Sequence, residues 1–234
     1  MSSSGPRYAL YVAPATNDPL HEFAARWLGW DAASGQAHAA TAATGLDARQ
    51  QAALTTEPRR YGFHGTLKPP FRLAPDRDEA GLLAALEQFT QSRAAFALPA
   101  LRVAALGQFL ALQPSAPCSL ADQLAADSVR QFDIFRAAAS AAELAKRRAA
   151  GLSARQEAYL LAWGYPYVLE EFRLHFTLTS RIADPAEREQ IRAYLHAATA
   201  DFTRHEFPVS DICLFVQREP DQPFRIEQRF ALRG

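Results

Sequence analysis

His64-Gly65-Thr66 and His175-Phe176-Thr177 are the two places in the chain where a histidine is followed two residues later by a threonine. On a β-strand, positions i and i+2 point to one face, so each motif presents an imidazole and a hydroxyl side by side. Two such pairs in one groove suit phosphodiester chemistry. A neutral imidazole takes a proton from the attacking water or hydroxyl, and a protonated one returns a proton to the departing oxygen. Histidine serves both roles because its ordinary pKa lies near 6.5, and each transfer is worth on the order of 10² to 10⁴ in rate. The threonine hydroxyls donate to the non-bridging phosphate oxygens, where negative charge must be held. The scheme needs neither metal nor cofactor.

The flanking residues extend both rows. Lys68 follows Thr66 by two positions, Arg173 precedes His175 by two, and Thr179 follows Thr177 by two. Alternation assigns all three to the polar faces, opposite Phe172, Leu174, Phe176 and Leu178 in the second copy. Cations are what a phosphate pocket requires, and arginine can grip phosphate with two parallel hydrogen bonds. Tyr11, on the Arg7-Ala9-Tyr11 face of the first strand, is a further lining residue. The expected site is therefore His64, Thr66, His175 and Thr177 for catalysis, with Lys68, Arg173, Thr179 and Tyr11 binding substrate.

The elements that must position these residues repeat. RYALYVAP is a strand ended by Pro14, and Asp18 caps a helix running to Gly29. Residues 31–45 read as a loop and 46–55 as a short helix. HGTLKPPFRL, with its pairing stopped at Pro69-Pro70, is followed by an Asp-led helix over 76–91 and strand material over 101–114 broken at Gly107. HFTLTSRI is followed by an Asp-led helix over 184–202 and a strand over 207–217, with a last strand over 224–232. This order describes a duplication: one repeat over about 58–114, a second over about 167–218, and an Ala-rich helical insert over about 119–163 between them. Two copies are too few for a solenoid. Duplicated antiparallel units pair about a pseudo-twofold axis, which brings equivalent residues together.

Composition narrows the class. Lys+Arg and Asp+Glu are 25 each, so no bulk attraction to duplex nucleic acid or an anionic membrane is expected. With only Cys118 and Cys213, a disulfide framework or zinc knuckle is not expected, and a reducing cytoplasm fits. The N-terminal stretch shows no signal-peptide pattern, and no apolar run is long enough to span a bilayer. The remaining histidines, His21, His38, His196 and His205, fall on amphipathic helices, in a loop or near a helix end. No HExxH grouping accompanies them, so a zinc site is the weaker reading.

Paired His-x-Thr motifs on duplicated strands resemble the 2H phosphoesterase superfamily. The longer strings YGFHGTLKPPF and GYPYVLEEFRLHFTLTSRI, with RYALYVAP at the start, resemble a branch associated with bacterial phosphonate-utilisation operons. The resemblance spans about residues 7 to 232. It implies one bilobal α+β domain over 1–234, with antiparallel sheets forming a concave groove, helices packed outside, and the helical insert. It also implies metal-independent attack on a phosphodiester, with His64, Thr66, His175 and Thr177 at the catalytic positions; which histidine is acid and which base stays open. The half-sites are unequal, because Lys68 corresponds to Thr179.

The expected partner is a small phosphodiester or cyclic phosphate. An RNA 2′,3′-cyclic end is the first alternative and non-catalytic binding of a phosphorylated metabolite the second. No membrane or obligate protein partner is evident in the sequence.

Overall fold

A computed structural model describes residues 5–39 and 46–234. Of the loop expected over 31–45, residues 40–45 lie outside the described residues.

β1 (Arg7–Val12) places Tyr8, Leu10 and Val12 on one face and Ala9 and Tyr11 on the other, and both faces are buried. α1 (Pro19–Leu28) begins where the Asp18 carboxylate accepts the Leu20 N–H and ends at Gly29, whose φ of 75° is left-handed. A small hairpin of β2 (Trp30–Asp31) and β3 (Gln36–Ala37) follows. α2 (Ala48–Leu54) and α3 (Thr56–Arg59) lead into β4 (Gly65–Phe71). Asp78 caps α4 (Glu79–Gln91), after which come β5 (Phe96–Leu98), β6 (Leu101–Leu106) and β7 (Phe109–Pro114).

The segment after β7 is helical: α5 (Ser119–Gln131), a 3-10 turn at Asp133–Phe135, α6 (Ala141–Arg148) and α7 (Ala154–Trp163). Ser140 with Glu143 and Ser153 with Gln156 form reciprocal capping boxes on α6 and α7. Then come β8 (Phe176–Thr177), α8 (Pro185–Thr199), β9 (Phe207–Val209), β10 (Asp211–Gln217) and β11 (Arg225–Ala231).

Among the described residues, seven strands form one antiparallel sheet in the order β11-β10-β1-β4-β8-β7-β6. The two strands bearing the His-x-Thr motifs are central neighbours. The hairpin that follows β4 and α4 in sequence pairs with β8, while the strand that follows β8 and α8 pairs with β1 beside β4. Strands from before and after the helical segment thus interleave in one sheet, and neither motif strand has its final neighbours without the other.

One face of the sheet is covered by helices. Leu20, Trp27 and Leu28 of α1, Leu82, Leu86 and Phe89 of α4, Leu124 of α5, and Ile191 and Leu195 of α8 share a core with Leu10, Leu67, Leu112, Phe176 and Leu214. Each such side chain contributes roughly 1.5–3 kcal/mol on burial. On the other face, Ala32, Phe224, Trp30 and Tyr61 cover Ala9, Tyr11, Cys213 and Phe215 of the β10–β1 half. The β4–β8–β7–β6 half of that face carries the His-x-Thr residues. Among the described residues no helix is long and apolar enough to cross a membrane.

Two strands differ from expectation. The alternating stretch 170–180 makes a ladder only at Phe176–Thr177, after a 3-10 turn at Leu169–Glu171. Its apolar row is still buried at Leu174, Phe176 and Leu178, but the Leu178 and Thr179 N–H groups both donate to the Leu110 carbonyl, at 2.9 and 3.2 Å. That doubling bulges the strand. β4, expected to stop at Pro69-Pro70, runs through both to Phe71, with register shifts against β1 between Tyr8 and Leu10 and between Leu10 and Tyr11. Prolines lack the N–H a regular ladder uses, and bulges accommodate them.

Candidate active site

Gly65 of β4 pairs with Phe176 of β8 in antiparallel register. The adjacent positions in that register set His64 opposite Thr177 and Thr66 opposite His175. Opposed Cβ atoms lie about 4.5–5.5 Å apart and diagonal neighbours about 7–8 Å, so the four side chains form a rhomb on one face, imidazoles on one diagonal and hydroxyls on the other. All four are partly exposed. On the opposite face, a Cβ at Gly65 would come within 2.9 Å of Leu174 Cδ1, 3.0 Å of Val12 Cγ2 and 3.1 Å of Phe176 Cζ. Glycine between His64 and Thr66 lets those side chains close beneath the strand.

The two imidazoles are held alike. His64 Nδ1 lies 2.9 Å from the Gly62 carbonyl and His175 Nδ1 lies 2.7 Å from the Arg173 carbonyl, in each case two residues back. A carbonyl only accepts, so both Nδ1 atoms carry the proton and donate it, leaving each Nε2 to exchange protons. Burial is the largest influence on both rings. It pushes His64 down to about 4, with the Gly62 carbonyl opposing and the nearby His175 charge adding to the depression. Burial also lowers His175, again opposed by its carbonyl bond. Burial thus favours the neutral form of both imidazoles.

The surroundings are aromatic at one end. Tyr11 lies flat against His64, with ring centroids 3.7 Å apart and an interplanar angle of 16°. Tyr61 and Phe215 stand 6.1 and 5.9 Å from the same imidazole. Burial drives the Tyr11 phenol well above its ordinary pKa, and the Tyr61 and Tyr165 phenols push it the same way. Tyr165 follows α7, so the end of the helical segment reaches the His64 side of the site. The Arg147 guanidinium of α6 sits 4.7 Å over the Tyr165 ring. Phe109 faces His175 at 5.8 Å.

Not every expected residue joins the rhomb. Lys68 is 1% exposed and turns to the helical face, where Nζ donates to the Val129 carbonyl at 3.2 Å and meets Asp133 at 3.4 Å. The cause is the bulge: Thr66 pairs with Tyr11 but Lys68 pairs with Leu10, so the expected alternation breaks between them. Thr179 is 1% exposed, and its Oγ1 accepts the Leu110 N–H at 2.9 Å, serving the bulge in β8 rather than a phosphate. Tyr11 is equally buried and supports the His64 ring rather than lining open space. Arg173 is exposed beyond His175, its guanidinium donating to the Phe172 carbonyl at 2.7 Å.

Tyr61 also lies on the imidazole side, where Gly62, at φ 72°, turns the chain just before the strand. That glycine was the available sign. Nothing in the local pattern of the helical segment singled out Tyr165 or Arg147. Among the described residues, no three His, Cys, Asp or Glu side chains gather in a group able to hold a metal ion.

A family profile described as "Protein of unknown function (DUF1045)" matches residues 66–225. Two curated proteins named "Ribose 1,5-bisphosphate phosphokinase PhnN" are similar. That of Janthinobacterium sp. (strain Marseille) is 39% identical over 237 residues, covering 100% of this chain and 52% of the relative. That of Laribacter hongkongensis (strain HLHK9) is 36% identical over 222 residues, covering 94% and 50% respectively. The chain spans about half the length of these relatives. Among solved structures, E. coli LigT complexed with ATP aligns with TM-score 0.45 and 12% identity over 99% of this chain and 100% of that one. TT0787 of Thermus thermophilus aligns with TM-score 0.44 and 15% identity over 97% and 98%.

Proposed function

The chain belongs to the DUF1045 family, and we propose that it is a phosphodiesterase that opens a cyclic phosphate, or cleaves a related diester, on a small phosphorylated metabolite. The observation that carries this reading is the antiparallel pairing of β4 and β8, which sets each imidazole against the hydroxyl of the other copy with matched Nδ1–carbonyl bonds. The diester phosphorus occupies the centre of the rhomb. One neutral Nε2 removes a proton from water as the water oxygen bonds to phosphorus. The bond from phosphorus to the sugar oxygen breaks, and the other Nε2, protonated, donates to that oxygen. Thr66 and Thr177 donate to the non-bridging oxygens. The negative phosphate itself raises the pKa of the second imidazole and so helps load the proton it must give.

All the charge and proton movements in this scheme are supplied by side chains, so activity is expected to survive EDTA. The relatives' name refers to a ribose bisphosphate, and the resemblance to the phosphonate-operon branch favours a ribosyl phosphate ester as substrate. The even charge balance supports a compact metabolite over an RNA chain, which calls for a basic track.

The test compares turnover of cyclic ribose phosphates, nucleoside 2′,3′-cyclic phosphates and short RNAs ending in a cyclic phosphate. Turnover of the small esters, reduced at least about 10²-fold by His64→Ala and by His175→Ala, is expected. A strong preference for RNA would replace the metabolite reading. Binding of all three classes without any turnover would make the protein a receptor rather than an enzyme.

A further inference from the structure

We propose that the substrate carries a phosphomonoester besides its scissile diester, and that this second phosphate binds in a cavity beside His175 between Arg102 and Arg173. The proposal rests on the phosphodiesterase reading for the position of the first phosphate, but its own evidence is separate.

A cavity of about 350 Å³ is bordered by Arg102, Gln113, Asp122 and Arg173. Cys118, Ala121, Phe172 and Leu174 line it from the helical side, so it lies at the end of the sheet, and strand register brings its Arg102–Gln113 wall next to the rhomb. Arg102 pairs with Gln113 across β6 and β7, and Ala111 pairs with Thr177 across β7 and β8. Two residues further along, that register brings Gln113 beside His175. One row of the open face therefore runs Arg102, Gln113, His175, Thr66. Arg173, two residues before His175, borders the cavity one step farther out, about 7 Å along the chain. A single sugar spans that distance between two phosphates.

Among the described residues, neither arginine of the cavity is paired with a carboxylate. Among the described residues, Arg102 makes no side-chain hydrogen bond or ion pair, and the Arg173 guanidinium meets only the Glu170 and Phe172 carbonyls. Elsewhere in the chain guanidinium groups commonly meet acids, as Arg136 does Asp133, Arg218 does Glu79 and Arg229 does Asp211. Asp122 is the acid on the cavity wall, and it forms no ion pair with either arginine among the described residues. Two cations against one carboxylate leave a net positive wall in a chain whose total charge is zero. The cavity also borders the start of α5, where Cys118 provides no side-chain cap. Guanidinium forks, a carboxamide and a size suited to a small ligand fit a phosphate monoester on a sugar.

Calorimetric titration with ribose 5-phosphate tests the cavity directly, using the wild-type chain, Arg102→Ala, Arg102→Lys and the double variant His64→Ala/His175→Ala. Expected are a loss of affinity of about tenfold or more in Arg102→Ala, partial recovery in Arg102→Lys, and a change within about threefold in the double variant. Affinity unchanged by Arg102→Ala, or abolished by the double variant, overturns the proposal. A kinetic arm compares a nucleoside 2′,3′-cyclic phosphate with its 5′-phosphorylated form. A KM lower by about tenfold for the phosphorylated ester is expected, with the advantage removed by Arg102→Ala. Equal KM values overturn the cavity proposal and leave the diesterase reading standing. Absence of turnover on both esters defeats the diesterase reading, and the titration still decides the cavity.

Discussion

Tyr11 forms the floor under His64: the two rings are stacked 3.7 Å apart, and Tyr11 is 1% exposed. This contact excludes water from one side of the imidazole and fixes its plane, so it bears directly on the ring's depressed pKa. Tyr11→Phe should preserve the ring and leave the His64 titration near its native position. Tyr11→Leu should admit solvent and move it upward from about 4 toward the ordinary 6.5. Titration of the imidazole by NMR checks this, and an unmoved His64 in Tyr11→Leu would show that the stack does not govern its protonation.

The pH dependence of kcat/KM should be bell-shaped with an acidic optimum. The base must be neutral, so activity rises as pH passes the lower of the two imidazole values, about 4 for His64. The acid must be protonated, so activity falls as pH passes the higher value, which burial of His175 keeps below 6.5. The two limbs belong to the pair rather than to single residues. In kcat the alkaline limb should shift upward, because bound phosphate stabilises the imidazolium. A profile of kcat/KM still rising above pH 7 would contradict this assignment.

Three threonines separate positioning chemistry from sheet construction. Thr66→Val and Thr177→Val should each lose about 2–4 kcal/mol of transition-state stabilisation, seen in kcat/KM, with little change in unfolding midpoint. Thr179→Val should do the reverse. It removes the acceptor for the Leu110 N–H and should cost about 1–3 kcal/mol in denaturant unfolding. Equal effects of all three on kcat/KM would remove the distinction.

Lys68 and Asp133 form a buried cross-link between β4 and the turn after α5. Burial lowers the Lys68 pKa to about 8, with the Asp133 charge opposing the fall. Asp133→Asn should destabilise by about 3–5 kcal/mol, because it strands a buried cation, while Lys68→Met should be close to neutral or stabilising and leave kcat/KM intact. The sign of the pH effect follows. Between about 8 and 10.5 the unfolded chain holds a proton that folded Lys68 has released, so this group makes stability rise with pH across that window. Lys68→Met should abolish that rise in denaturation midpoints, and loss of activity in the same variant would return Lys68 to the substrate groove.

Much of the fold was legible because its signals are local. Asp18 caps the first helix as expected, the two Asp-led helices are capped by Asp78 and Asp184, the former starting at Glu79 rather than at residue 76, and Gly29 and Gly164 end helices in left-handed conformation. The spacing of His64 from Thr66 and of His175 from Thr177 survives as a shared face, and the two motif strands lie side by side. Lys68 and Thr179 were misplaced for one reason. Period-2 alternation assumes an unbroken ladder, and a bulge advances the chain by one residue without advancing its partner. Neither Leu67-Lys68 nor Leu178-Thr179 shows its bulge in residue type, since the partner carbonyls and amides that create it come from β1 and β7.

By itself the sequence determined which imidazoles and hydroxyls share a strand face, because side-chain direction over two residues is a property of backbone geometry. Only the tertiary structure decided which imidazole meets which hydroxyl, that Tyr11 rather than solvent lies against His64, and that Arg102 and Arg173 border one cavity. Those relations join residues far apart in the chain. They follow from the interleaved sheet, in which strands from distant parts of the chain pair side by side.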